Sequence, residues 1–144
     1  MDGRIRTATI DDIAAMHVVR TAVKENRLSD PSRITYEMYS DYLTNRGKGW
    51  VFDVNNEIVG FAIVDLIDHS VWALFVHPDH ESKGIGRCLH DEMLRWYFHQ
   101  TQDNLKLTTW PDTRAEKFYL KAGWKYTGMK GSEAGFEMNA SHNT

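Results

Sequence analysis

The chain has a single cysteine, no run of apolar residues long enough to cross a bilayer, and no strong excess of either charge. One thiol, Cys88, makes no internal disulfide and has no second cysteine with which to form a thiolate zinc site, so nothing asks for an oxidising compartment. Acidic and basic residues stand near the N-terminus where a signal peptide carries its apolar segment. Together with the missing spanning stretch, this predicts a cytoplasmic protein with no membrane partner. A net charge of -3 provides no global attraction for phosphate backbones, so nucleic acid is not an expected partner. Repeats, low-complexity tracts and internal linkers are also lacking.

What is present has the balance of a globular domain. With 144 residues, 42% of them hydrophobic and 26% charged, the chain suits one domain over 1–144 with a real core, its tail from about 139 to 144 being flexible. "GRIRTATI" alternates as a strand does, and Thr9 with Asp12 then opens a helix over about 10–23. Pro31 breaks the pattern into a loop or a short bent helical piece. Helical spacing returns at Tyr36, Tyr39 and Leu43 until Gly47 and Gly49. "GWVFDV", "EIVGFAIVD" and "SVWALFVH" read as three neighbouring, mostly antiparallel strands, with "NN" as a hairpin turn between the first two.

A helix to about residue 100 follows, marked by Ile85, Leu89, Met93, Trp96 and Tyr97 on one face. Strand "LKLTTW" then suits a parallel pairing with "SVWALFV", since a long helical crossover joins them. Thr113 and Glu116 match a capping box, Gly123 closes that helix, and "WKYTGMK" and "GFEMNA" form a strand pair around a "GSEAG" loop. The fold class is therefore α/β in the α+β sense: a mixed, mostly antiparallel sheet flanked by about four helices. Trp50, Trp72, Trp110 and Trp124 lie in apolar runs and read as core or cleft wall. The histidines share no ligand spacing, so no metal is expected.

Between the third of these strands and its helix lies "HPDHESKGIGRCLH". A helix start offers unpaired N–H groups and partial positive charge, and a glycine lets an anion approach them closely. Gly84 and Gly86 either serve that purpose or simply shape the turn. Lys83 precedes Gly84 and no hydroxyl residue follows, which excludes a Walker loop; Leu89 stands where a dinucleotide fingerprint needs its third small residue. On these residues, and on "TRAEKFYLKAGWKYTG" at the right separation after them, the chain resembles the GCN5-related N-acetyltransferases. Glu81 departs from the Arg or Gln usual there, and Thr113 from the more frequent Asn; an acidic Glu81 is expected to turn away from an anion.

The resemblance implies acetyl-coenzyme A as cosubstrate, direct transfer to an amine without an acyl-enzyme, a splayed parallel strand pair, and a possible homodimer. Backbone amides of Ser82, Lys83, Gly84, Ile85, Gly86 and Arg87 would hold the pyrophosphate. Leu74, Phe75 and Val76 would pair with the pantetheine arm, and a backbone N–H of Phe75 or Val76 would meet the oxyanion. The side chains of Lys83 and Arg87 either add contacts or remain solvated. Tyr119 matches the family's general acid, and Thr113 either touches the coenzyme or only caps its helix. Glu25 and Asn26, with Ser70 and Trp110, are placed beside the acceptor. The base is open: Ser70 cannot act alone, and Asp65, Asp68 and His69 lie near it. Cys88 is expected to face the core. The acceptor is a small-molecule or peptide amine of unread identity. A coenzyme A sensor with little transferase activity is the alternative.

Overall fold

The structure, a computed structural model, describes residues 3–143. Seven strands form one sheet in the order β1-β2-β3-β4-β5-β7-β6. In the chain these are β1 (Gly3–Thr7), β2 (Gly47–Val54), β3 (Glu57–Asp65), β4 (Ser70–Val76), β5 (Leu105–Thr109), β6 (Lys125–Lys130) and β7 (Glu133–Met138). The helices are α1 (Ile13–Ala22), α2 (Tyr36–Asp41), α3 (Ile85–Gln100), α4 (Arg114–Lys121) and the short α5 (Ala140–Asn143). Every pairing is antiparallel except β4 with β5. No helix among the described residues is long and apolar enough to cross a membrane.

Local signals set most of the boundaries. Asp12 accepts from the Thr9 backbone N–H at 2.8 Å and receives both terminal nitrogens of Arg6 at 2.9 Å, fixing the entry to α1. The first residues expected in that helix, Ile10–Asp12, form a tighter turn ahead of it. Asn55 and Asn56 hold φ of 54° and 67°, the double left-handed conformation that a two-residue hairpin needs and asparagine tolerates. Asp30 caps a single turn at Pro31–Arg33, the bent piece expected there.

Three expectations shift. Gly47 begins β2 instead of merely stopping a helix, because a Cβ there would run into the Val64 carbonyl oxygen of the adjoining strand. The "GSEAG" loop shrinks to a turn at Gly131 and Ser132, with β7 already under way at Glu133. Residues 140–143, expected within a flexible tail, form a helical turn that meets α3; Thr144 lies outside the described residues.

Two apolar clusters lie on opposite faces of the sheet. Helix α3 places Ile85, Leu89, Met93 and Tyr97 against Trp50, Leu105, Leu107 and Phe136, and α4 adds Tyr119. On the other face Ile13, Met16, Val19 and Tyr39 of α1 and α2 cover Val51, Phe61, Ile63 and Ala73. Each fully buried large side chain contributes about 1.5–3 kcal/mol.

One polar link crosses the first cluster. Trp124 Nε1 donates to His90 Nε2 at 2.9 Å. An indole N–H only donates, so Nε2 must be unprotonated, and Nδ1 lies 2.9 Å from Asp91 Oδ1, which can only accept. His90 is therefore a neutral, buried imidazole, and burial holds its pKa below the ordinary 6.5. The unfolded chain binds this proton more readily, so the stability His90 contributes is complete above pH 6.5 and fades as the pH drops toward its folded value. In thermal melts across that interval, His90→Asn is expected to show a shallower acid decline than the parent.

Candidate active site

The parallel pair β4–β5 is joined by one bridge, Ser70 to Lys106. A local cause for their separation lies in β4. Val64 of β3 faces Val71, but Ile63 faces Ala73, so Trp72 is an extra residue. A bulge of this kind bends its strand. The displaced Trp72 ring stacks on Tyr42 with centroids 4.1 Å apart. Beyond the bridge the two strands make no ladder with each other, and their facing edges turn backbone N–H and C=O groups toward the gap. The gap widens into a cleft of about 1730 Å³, whereas a single small-ligand site occupies about 300–1,000 Å³.

Leu74, Phe75 and Val76 form one wall of the cleft, and Leu107 to Trp110 form the other. At the end of β4 the chain turns through Ser82, Gly84, Ile85, Gly86 and Arg87, all of which line the cleft. Gly84 has φ of +81°, a left-handed conformation that leads directly into α3. A Cβ on Gly84 would meet nothing within 4 Å, and one on Gly86 would meet only Val76, at 3.7 Å. The protein's own packing does not need Gly86 to be bare. Its missing side chain leaves room beside the unpaired amides at the start of a 16-residue helix, a fit for an anionic group.

Tyr119 reaches the cleft from the inner face of α4, its ring packed against Phe118, Trp124 and Phe136. No described residue hydrogen-bonds its hydroxyl, and burial raises its pKa well above the ordinary 10. A phenol in that state keeps its proton at neutral pH. Glu25 and Asn26 also line the cleft, and both fasten the loop after α1 to its far side. Glu25 accepts from the Arg114 backbone N–H at 3.1 Å; Asn26 accepts from the Trp110 backbone N–H at 2.7 Å and the Thr109 hydroxyl at 3.2 Å. Ser70 sits at the closed end, beside the bridge, and Trp110 is 40% exposed at the open end.

Several expected residues prove to have other duties. Thr113 does not line the cleft: it is buried, donates to the Trp110 carbonyl at 2.8 Å and caps α4 by accepting from the Glu116 N–H at 3.2 Å. Lys83 is exposed and outside the lining residues. Glu81 does not turn away; it lines the cleft with its carboxylate 3.3 Å from Arg114. Asp65, Asp68 and His69 do not reach the cleft. Arg46 binds Asp65 at 2.7 Å and Asp68 at 3.0 Å, while His69 bonds the Tyr97 hydroxyl at 2.8 Å. Cys88 is exposed instead of facing the core. Among the described residues no cluster of three His, Cys, Asp or Glu is placed to hold a metal.

Sequence reasoning missed Arg114. It occupies the first position of α4, where a cation opposes the helix dipole, and that misplacement was the available signal. Its guanidinium reaches Glu81 and donates to the Ser82 hydroxyl at 2.7 Å, tying α4 to the glycine loop. The cleft as a whole is cationic. Nine lysines and arginines line it against four glutamates, although acidic residues outnumber basic ones in the chain, 20 to 17.

Because the Thr113 hydroxyl serves its own helix, Thr113→Ala is expected to cost about 1 kcal/mol in denaturant unfolding. The affinity for a pyrophosphate-bearing ligand, read by calorimetry, should stay unchanged.

The sequence profile of the acetyltransferase (GNAT) family matches residues 14–124. No curated protein sequence matches the chain. Among solved structures, PaiA N-acetyltransferase from Thermoplasma acidophilum, in complex with coenzyme A, superposes with a TM-score of 0.83 at 16% identity, covering 96% of this chain and 99% of that one. A GNAT-family acetyltransferase from Staphylococcus aureus Mu50 gives 0.81 at 18% identity, covering 96% and 99%. The ribosomal-protein-S18-alanine N-acetyltransferase from Escherichia coli gives 0.75 at 16% identity, covering 94% and 91%. At such identities the superpositions speak for the fold, which agrees with the profile. On the profile match over most of its length, the chain belongs to the acetyltransferase (GNAT) family.

Proposed function

We propose that this protein moves an acetyl group from acetyl-coenzyme A directly to an amine held in the same cleft. The observation that carries the reading is the opened β4–β5 pair ending in a glycine loop with unfilled space at Gly84 and Gly86. A pantetheine arm carries amide groups that pair with a free strand edge as another strand would. In this reading the edge at Leu74, Phe75 and Val76 holds the arm. The amides from Ser82 to Arg87 take the pyrophosphate, with Arg87 and Arg114 adding charge beside them. Arg87 is shared with Asp91 at 3.1 Å, an exposed pair that yields at little cost.

Transfer needs a place for the oxyanion and a proton for the departing thiolate. A backbone N–H of Phe75 or Val76 supplies the first. Tyr119 Oη supplies the second and is reprotonated, through solvent, by the proton that the attacking nitrogen gives up as it becomes an amide. Cys88 does not line the cleft, so its thiol is not placed to attack the thioester. The amine attacks directly.

The base that the sequence left open need not be a side chain. Glu25 and Glu81 are engaged by Arg114, Glu137 accepts from Asn104 at 2.9 Å, and Glu133 lies 3.4 Å from the Thr108 hydroxyl. An ammonium bound among nine cationic side chains is destabilised relative to the neutral amine, so it releases its proton to water on binding. A coenzyme A sensor would need none of this, and it would leave the unpartnered Tyr119 phenol without a task.

Two variants test the reading. Tyr119→Phe is expected to lower kcat by about a hundredfold or more while coenzyme A affinity is retained; an unchanged rate would remove the proton donor assigned here. Gly86→Val should cut coenzyme A affinity at least about tenfold by filling the space beside the amides, with melting little altered because both residues are middling to poor helix formers.

A further inference from the structure

Resting on the amine-transfer reading, the structure points to a recognition element for the acceptor. Among the described residues, one buried side-chain polar atom has no hydrogen-bond partner: Nη1 of Arg20. Arg20 lies two residues from the end of α1 and lines the cleft. Its guanidinium carbon stands 4.2 Å over the Phe75 ring. No described carboxylate pairs with it; Arg6, Arg46, Arg87, Arg95 and Arg114 have acidic partners, and Arg4, Arg27 and Arg33, which have none among the described residues, are exposed to water. Burial accordingly lowers its pKa, with only the Tyr39 phenol opposing.

Arg20 is half-buried, and a buried guanidinium nitrogen left unpaired is costly, so its retention calls for a partner that arrives from outside. Stacking on Phe75 does not fill that role. A ring contacts the flat face of the guanidinium and leaves the N–H groups around its edge unspent. The stack instead fixes the plane of the fork while its donors wait. Phe75 also fixes which ligand is meant. Its backbone edge faces the gap assigned to the pantetheine arm, while its side chain belongs to the α1/α2 face of the sheet, opposite the glycine loop and α3. Arg20 therefore stands on the acceptor side of the thioester.

We propose that Arg20 binds a carboxylate carried by the acceptor itself, so that the substrate is an amino-acid-like molecule bearing both amine and carboxylate. A planar carboxylate matches the guanidinium fork and supplies the missing acceptor for Nη1. The cationic lining agrees. Lys24, Arg27 and Arg33 follow Arg20 around the same cleft, an unfavourable setting for a polyamine and a favourable one for an acid.

The test compares the parent with Arg20→Gln and Arg20→Lys. Each α-amino acid is offered beside its α-amide and its decarboxylated amine, and acetylation is followed by mass spectrometry. In parallel, N-acetyl amino acids are titrated into the coenzyme A complex by calorimetry, which needs no turnover. The expected result is an acid-to-amide ratio in kcat/KM of about a hundred or more in the parent. That ratio should collapse toward one in Arg20→Gln through KM and recover in part in Arg20→Lys, with no fall in melting temperature. Arg20-dependent binding of an N-acetyl amino acid without turnover would uphold this site while sinking the transferase reading. Parent acetylation of amides or simple amines as efficiently as acids, or an equal loss on both in Arg20→Gln, would overturn the site and leave the transferase standing. The lack of both acid turnover and N-acetyl amino acid binding would overturn it too.

Discussion

The molecule depends on parting two neighbouring strands of one sheet without losing the sheet. A single bridge at Ser70 and Lys106 holds β4 to β5, and the extra residue Trp72 turns β4 aside. Unpaired strand edges are costly in a dry interior, so the separation is tolerable only where water or a ligand reaches the freed groups. The rest of the architecture keeps that condition stable. Helices α3 and α4 close one face and α1 and α2 the other, each over its own apolar cluster, while the Trp72–Tyr42 stack accepts the ring that the bulge displaces.

The opening then divides labour between the two faces. Toward α3 and α4 lie the glycine loop, the α3 amides and Tyr119, all suited to holding a charged tether and releasing a thiolate. Toward α1 and α2 lie Phe75 and Arg20. The loop after α1, pinned by Glu25 and Asn26 to α4 and the end of β5, joins the two walls. Charge is distributed by the same plan, since the cleft gathers nine of the chain's seventeen lysines and arginines. A net charge of −3 conceals this segregation completely.

Legibility followed the range of the interaction. The limits of β3, the start of α3, the Asn55–Asn56 turn and the Thr113 cap are decided by residues a few positions apart, and the sequence displayed them; the reciprocal half of the expected capping box differs, since Glu116 accepts from the Asp112 N–H at 3.0 Å and not from that of Thr113. The glycine loop was visible for the same reason. Whether Thr113 had a proton to spare depended on the Trp110 carbonyl, three residues back but across a turn whose shape was unknown. The pairing of Glu81 with Arg114 spans 33 positions, and the capture of Asp65 and Asp68 by Arg46 about 20; nothing local announces either. Cys88 is different. Its α3 neighbour one turn on is Glu92, so the helical phase already pointed it to the polar face.

That placement has a practical corollary. Cys88 is the chain's only sulfhydryl, outward-facing and one residue beyond Arg87. A maleimide dye would attach at one defined point next to the mouth of the cradle, giving an optical gauge of occupancy without an engineered handle. By the same geometry, Ellman-type colour development would carry a background of one equivalent per polypeptide.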